Sequence, residues 1–207
     1  MRRSEVVALV ASSGAEDVDA AVAAARASFP SWATLPMAKR ASHLIGTADA
    51  LEKRAKETAC DMAAEMGKPL RETRGEVGRG VQILRYAASE TYRPVGESFE
   101  QAATGAQVST RHRALGAVAL IAPWNFPCAI PVWKLAPALI YGYTAVLKLA
   151  HASLLTRLHV AAAFAEAGLP AGVLNVLTGS GSVIGAALVR DPRIRAVSLT
   201  GSLETGS

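Results

Sequence analysis

The chain has 207 residues, of which 51% are hydrophobic and 19% charged, and its formal net charge is +5. This composition excludes a disordered chain and predicts one large domain, or one and a half ordinary ones, with a substantial core. The densest basic cluster, residues 68–93, also contains glutamates, which favours a solvated helix face over a nucleic-acid site.

Two cysteines, Cys60 and Cys128, are too few for a disulfide framework, and neither has a histidine or cysteine at metal-ligand spacing. We therefore expect two buried structural thiols, no metal, and a reducing, cytoplasmic setting. Residues 6–11 are too short for the core of a signal peptide. Residues 114–133 are uncharged over the length of a membrane span, but three prolines interrupt them, which favours a buried strand and turn and no membrane partner.

Helical patterns fill the first part of the chain. They predict helices over 15–30, from Pro36 to Met66, and over 70–91. Residues 1–94 are thus expected to form a helical region that packs on the C-terminal half of the chain. Residues 95–113 are more polar and rich in glycine. They predict a hairpin or extended excursion, either an arm that pairs with another subunit or a plain surface hairpin.

Residues 114–207 alternate between apolar strands and helices. The predicted strands are 117–121, 144–148, 173–177 and 195–200, and the helices between them are 129–141, 153–167 and 182–190. Such connections place the strands parallel with right-handed crossovers. The predicted fold class is α/β, a doubly wound parallel sheet of the kind that often holds a nucleotide.

The turn after the first predicted strand carries the sharpest candidate for chemistry. Trp124 and Asn125 lie between Pro123 and Pro127, just beyond the strand end. Ligands of open parallel sheets bind at that edge, where a rigid amide could donate to a developing oxyanion. The alternative is a proline-rich turn whose tryptophan belongs to the core.

The other strand ends carry weaker signals. Lys148 ends the second strand, as a solvated terminus or as a contact to a ribose or phosphate. Gly179, Gly181 and Gly185 follow the third strand at a spacing that offers backbone N–H groups to an anion. Residues 201–206 open another helix after the fourth strand, where glycines allow a phosphate to approach the backbone.

Together, these segments resemble the aldehyde dehydrogenase superfamily over nearly the whole chain. Four ordered blocks carry the resemblance: Glu65-Met66-Gly67-Lys68-Pro69; Pro123-Trp124-Asn125-Phe126-Pro127 with Trp133-Lys134 and Ala136-Pro137-Ala138-Leu139; Gly168-Leu169-Pro170-Ala171-Gly172-Val173-Leu174-Asn175-Val176; and Leu199-Thr200-Gly201-Ser202 with Gly206. The second block argues against one alternative, an acyl-phosphate-reducing relative in the same superfamily.

The resemblance implies NAD(P)-dependent oxidation of an aldehyde to a carboxylic acid. A cysteine thiolate attacks the aldehyde, Asn125 helps to hold the oxyanion, and a glutamate-activated water hydrolyses the thioester. The cofactor contacts it implies are Lys148 and His151 at the adenosine ribose, Gly181 near the adenine, Gly201, Ser202 and Gly206 around the pyrophosphate, and Ile121, Ala122, Pro123 and Trp124 along the groove. It also implies a homo-oligomer formed through the hairpin of residues 95–113.

Position 151 departs from the family pattern. The family commonly has a glutamate there that grips the ribose hydroxyls, whereas this chain has His151. A protonated imidazole would attract a 2′-phosphate. We therefore expect an intact form to accept NADP at least as well as NAD.

The family's catalytic cysteine and glutamate base lie beyond the segment that this sequence matches. Neither Cys60 nor Cys128 occupies the position of the nucleophile. The 207-residue polypeptide by itself is therefore expected to be inactive as a truncated family member. The alternatives are a non-catalytic nucleotide-binding or oligomerisation partner, or a gene remnant.

Overall fold

A computed structural model describes residues 9–94, 96–100, 105–150 and 152–206, without the side chains of 204 and 205. The helices are α1 (Ala15–Thr34), α2 (Met37–Lys53), α3 (Ala55–Met66), α4 (Leu70–Ala88), α5 (Ala129–Ile140), α6 (Leu154–Glu166), α7 (Ala186–Arg190) and α8 (Leu203–Gly206). The strands are β1 (Ser98–Glu100), β2 (Gln107–Ser109), β3 (Ala117–Ile121), β4 (Thr144–Lys148), β5 (Leu174–Leu177) and β6 (Ile194–Leu199). A short 3-10 turn, Ser89–Tyr92, follows α4.

The predicted doubly wound sheet is confirmed. Its four strands are parallel in the order β5-β4-β3-β6, so the chain adds β4 and β5 on one side of β3 and then returns to place β6 on the other. The side chains of β3 alternate between two cores, as expected for a strand that is buried on both faces. Val118 and Leu120 pack with the core formed by α2 to α6, and Ala117 and Ala119 face α1 and α7.

The element boundaries match the predicted ones well, with two errors in helix continuity. The predicted helix from Pro36 to Met66 is broken at Arg54, whose φ and ψ of −95° and 12° end α2 and begin α3. The predicted helix 182–190 begins as a π-helical turn, Gly181–Gly185, before α7. Neither break carries a proline, the residue that marks such points most clearly in a sequence.

Residues 95–113 contain the expected hairpin. Strands β1 and β2 pair antiparallel, with Phe99 opposite Val108, and every residue in them is exposed. Strand β6 is an edge strand of the four-stranded sheet. It pairs only with β3 among the described residues, and most of its side chains are exposed. In the described part of the chain, no helix is long and apolar enough to cross a membrane.

A candidate dinucleotide site at the strand ends

The carboxyl ends of the four parallel strands form one row. Ile121 is paired with Lys148 on one side and with Leu199 on the other, and Lys148 is paired with Leu177. The backbone N–H of Thr200 donates to the carbonyl of Ile121 at 3.1 Å, which holds the start of the loop after β6 against β3. The loops that follow all four strands therefore meet at one edge, and the reversal of strand order lies between β3 and β6.

The predicted turn after β3 lies at this edge. Ala122 is buried and Pro123 half-buried, whereas Trp124 is 57% exposed and Asn125 is also exposed. The alternative in which Trp124 belongs to the core is therefore wrong. The side chain of Asn125 makes no hydrogen bond to another described residue, so its amide is available to a ligand.

The buried Arg157 holds the backbone of this turn through hydrogen bonds. Its side chain is fully buried, and the guanidinium donates to the carbonyl oxygen of Pro123 and, at 3.4 Å, to that of Ala150. Desolvation lowers the Arg157 pKa to about 10, against the opposing influence of Glu65 and Glu76. The sequence patterns described above do not predict this role. The sequence does give one indication of it, since Arg157 is a single arginine within the mostly apolar helix α6.

A second support comes from the N-terminal helices. Lys68 Nζ lies 2.8 Å from Glu76 Oε2, donates to the backbone carbonyl of Asn125 at 2.5 Å, and stands 4.1 Å from the centre of the Phe126 ring. The sequence pattern assigned Lys68 no role beyond its motif.

Glu76 is buried and also supports the start of α5. Its Oε1 accepts hydrogen bonds from the backbone N–H groups of Cys128 and Ala129, at 2.9 and 3.3 Å. A carboxylate at a helix N-terminus satisfies orphan donors and complements the helix dipole. Glu76 thus connects Lys68 to the segment that follows the Asn125 turn.

Lys148 lies at the centre of the row of strand ends. It is only 7% exposed, yet its Nζ has no hydrogen bond or ion pair with another described residue. Desolvation and, secondarily, the charge of Arg157 lower its pKa. A Cβ added to Gly181 would lie 3.6 Å from this Nζ, so two of the predicted cofactor contacts lie next to each other.

The remaining predicted residues are at or beyond the end of β6. Gly201 and Ser202 are exposed in the loop between β6 and α8, and Gly206 is the last residue of α8. A Cβ added to Gly206 would contact Leu199 Cδ2 at 3.6 Å, so this glycine packs close to the strand end. His151 lies outside the described residues.

The two cysteines have different environments. Cys128 is fully buried, and its thiol is 3.0 Å from the position that a Cβ on Gly80 would occupy. Desolvation, with a smaller contribution from Glu76, raises the Cys128 pKa. Cys60 is exposed, so the expectation that both thiols are buried is wrong for Cys60.

The doubly wound sheet and the row of strand ends define an α/β protein of the nucleotide-binding type, because ligands of such sheets bind where the strand order reverses. The chain belongs to the aldehyde dehydrogenase family, whose family model matches residues 2–207.

Three similar proteins show how far the match extends. The α-ketoglutaric semialdehyde dehydrogenase of Bacillus subtilis (strain 168) is 45% identical over 98% of this chain and 42% of its own length. The succinate-semialdehyde dehydrogenase of Paenarthrobacter nicotinovorans is 42% identical over 97% of this chain and 45% of its own. The crystal structure of PnpE in complex with nicotinamide adenine dinucleotide superposes with a TM-score of 0.94, at 35% identity, over 98% of this chain and 42% of that one. The chain thus spans about two fifths of the length of these relatives.

Proposed function

We propose that this chain forms the cofactor-binding part of an NAD(P)-dependent aldehyde dehydrogenase, which oxidises an aldehyde to a carboxylic acid. The observation that carries the proposal is the pairing of Ile121 with Lys148, which brings the exposed Asn125 turn and a cation without a partner among the described residues to one sheet edge. Family membership and the NAD-bound neighbour support the same assignment. We propose that residues 1–94 form a helical region, that residues 95–113 form an oligomerisation arm, and that residues 114–207 form the dinucleotide-binding region.

The strand-end residues fit a dinucleotide. Lys148 is a nearly buried cation without a described partner, and the absence of a side chain at Gly181 leaves space beside it for a ribose or phosphate oxygen. Gly201, Ser202 and Gly206 are proposed to hold the pyrophosphate near the start of α8. The groove is lined by Ile121, Ala122, Pro123 and Trp124. When bound, NAD or NADP accepts the hydride.

Asn125 is proposed to stabilise the oxyanion that forms when a thiolate attacks the aldehyde. Its carbonyl is held by Lys68 and the carbonyl of Pro123 by Arg157, so the side-chain amide extends from a fixed backbone. Such preorganised donors stabilise developing charge more than mobile ones do. Neither cysteine of this sequence serves as the nucleophile, since Cys128 is buried behind Gly80 and Cys60 lies on α3.

Substrate class and setting are inferred from the relatives and from the exposed hairpin. Both of the semialdehyde dehydrogenases described above are named for semialdehydes that carry a carboxylate, and we extend that class to this chain. We further propose a homo-oligomer formed through β1 and β2, whose residues are all exposed, and a reducing, cytoplasmic setting for the two free cysteines. His151 supports acceptance of NADP.

Titration calorimetry with NAD and NADP on the 207-residue chain tests the proposal. We expect both nucleotides to bind and NADP to bind at least as well as NAD. Replacement of His151 by glutamate should shift the preference toward NAD. In an assay with an aldehyde, the chain alone should show no oxidation because the nucleophile is absent. A folded chain that binds neither nucleotide would contradict the proposal.

A further inference from the structure

An open cavity of about 360 Å³ lies between α4 and the residue that follows Asn125. We call it the Phe126 cavity, and the lining residues relevant here are Lys68, Glu72, Gly75, Arg79 and Phe126. The Phe126 ring is 47% exposed, so one wall of the cavity is an aromatic surface next to the proposed oxyanion donor. This volume suits a small organic molecule.

The charge of Lys68 is paired with Glu76, whereas that of Arg79 has no partner among the described side chains. Lys68 contacts Glu76, the Asn125 carbonyl and the Phe126 ring. Arg79 is exposed, and its guanidinium makes no hydrogen bond or ion pair with another described side chain. Because Glu76 and Arg79 are three residues apart on α4, they lie on the same face of the helix. A guanidinium without a described side-chain partner therefore lies about one helical turn from the pair that anchors Asn125.

Glu72 is the other charged group of the cavity without a described side-chain partner. It precedes Arg79 by seven residues, which places the two about 10 Å apart along the helix axis. The cavity thus has an acidic end and a basic end. An anionic group would be attracted to Arg79 and repelled from Glu72, so it would enter in one orientation.

Gly75 keeps the middle of the cavity open. It lies within α4, although glycine is a poor residue for a helix interior, and a Cβ added to it would meet nothing within 4 Å. Close packing therefore does not require a glycine here. Because Gly75 and Phe126 line the same cavity, a large side chain at this position would take up part of its volume.

We propose that Arg79 binds the carboxylate of the aldehyde substrate and so determines specificity for semialdehydes. The proposal rests on the proposed function and adds to it the residue that selects the substrate. A guanidinium forms two parallel hydrogen bonds with a carboxylate, and these charge-assisted bonds are strong and directional. The aliphatic part of the substrate would lie over Phe126, with its aldehyde end toward Asn125.

The test is an NMR titration of the ¹⁵N-labelled 207-residue chain with 5-hydroxypentanoate, a stable alcohol analogue of a semialdehyde. The matched ligand is 1,5-pentanediol, which has the same length and no carboxylate. The Arg79 Nε–Hε and Asn125 side-chain resonances are the readout. We expect the acid to shift both and to bind about tenfold more tightly than the diol.

Three sets of variants assign the effect to the cavity. Arg79→Gln should weaken binding of the acid about tenfold and leave the diol unchanged, and Arg79→Lys should weaken it less. Arg74→Gln is the matched control, since Arg74 is exposed on the same helix and does not line the cavity. Gly75→Leu should block both ligands, while Gly78→Leu, at a second helical glycine with open space, should not.

Equal binding of acid and diol, or equal effects of Arg79→Gln and Arg74→Gln, would overturn the proposal. An NAD titration on the same samples separates the two levels of inference. If NAD binds and the acid is insensitive to Arg79, only the substrate assignment fails. If NAD does not bind, the proposed function itself fails.

Discussion

Lys68 Nζ reaches the backbone oxygen of Asn125 at 2.5 Å, so a residue that precedes α4 fixes the turn that follows β3. The same ammonium group pairs with Glu76, which binds the N–H groups of Cys128 and Ala129. The turn and the helix after it are therefore anchored to α4 through one charged pair. The N-terminal helices thus help to build the site as well as the core.

Breaking this pair should destabilise the chain. Lys68→Met leaves the buried Glu76 carboxylate without its cation, and we expect the free energy of unfolding in urea to fall by about 2 kcal/mol. Glu76→Gln should cost a similar amount because it weakens the hydrogen bonds to α5. The double variant should lose less than the sum, since the two residues interact directly.

Arg74→Met is the control for that cycle, because Arg74 is exposed on α4 and should change stability by less than about 0.5 kcal/mol. Strict additivity of Lys68→Met and Glu76→Gln would show that the pair contributes no coupling energy. The anchoring role of Lys68 would then have to be abandoned.

Lys148 should show opposite effects on stability and on binding. Its nearly buried ammonium has no described partner, so Lys148→Met removes a desolvation penalty and should raise the free energy of unfolding by about 1 kcal/mol. The same change should weaken NAD binding about tenfold, because one charge-assisted hydrogen bond is lost. Urea unfolding and calorimetry measure the two effects separately.

Lys134→Met is the matched variant for stability. Burial lowers the pKa of Lys134 as it does that of Lys148, but Lys134 Nζ donates to Ser198 Oγ at 2.7 Å. Its replacement removes a desolvation penalty together with one hydrogen bond, and the exposed Ser198 hydroxyl can bind water instead, so Lys134→Met should raise stability clearly less than Lys148→Met does. If Lys134→Met raises stability as much as Lys148→Met does, the missing partner of Lys148 is not the cause.

The strands were predicted closely because each is marked by a pattern within its own residues. The apolar run 117–121 and its proline stop define β3 and its turn without any knowledge of the rest of the chain. The strand-end residues could be grouped from topology, since parallel strands bring their carboxyl ends to one edge.

The supports of the site could not be predicted in the same way. Lys68 and Asn125 are 57 residues apart, and Arg157 and Pro123 are 34 apart, so these contacts depend on how the helices pack. The same limit explains Cys60, because the orientation of α3 decides which of its faces is exposed. Local periodicity identifies the apolar face of a helix, but the tertiary structure decides which residues pack against that face.

The two thiols should react at very different rates. Cys60 is exposed and should be modified rapidly by a disulfide reagent at a pH of about 8, whereas burial raises the Cys128 pKa and excludes reagent. We expect one thiol per chain to react in buffer and both to react in guanidinium chloride. Cys60→Ser should abolish the fast phase. A fast phase that persists in this variant would show that the environment of Cys128 opens readily.

Acid should reveal the contribution of the turn that leads into β6. The Arg193 guanidinium donates to both oxygens of Asp191 and its backbone N–H donates to Oδ1, and these bonds hold the pKa of Asp191 below its ordinary value of 3.8. A lowered folded-state pKa means that the stabilisation is complete above the unfolded-state pKa and is lost as the pH falls through the folded-state pKa.

Asp191→Asn should therefore lower the free energy of unfolding by about 1 kcal/mol at pH 7, and its difference from the parent should shrink below pH 3.8. Asp49→Asn, which alters an exposed pair with Arg85, should have a smaller effect at neutral pH. If the difference between Asp191→Asn and the parent stays constant into acid, the ionised carboxylate of Asp191 does not stabilise this turn. Arg193 would then be held by its contact with Asp19.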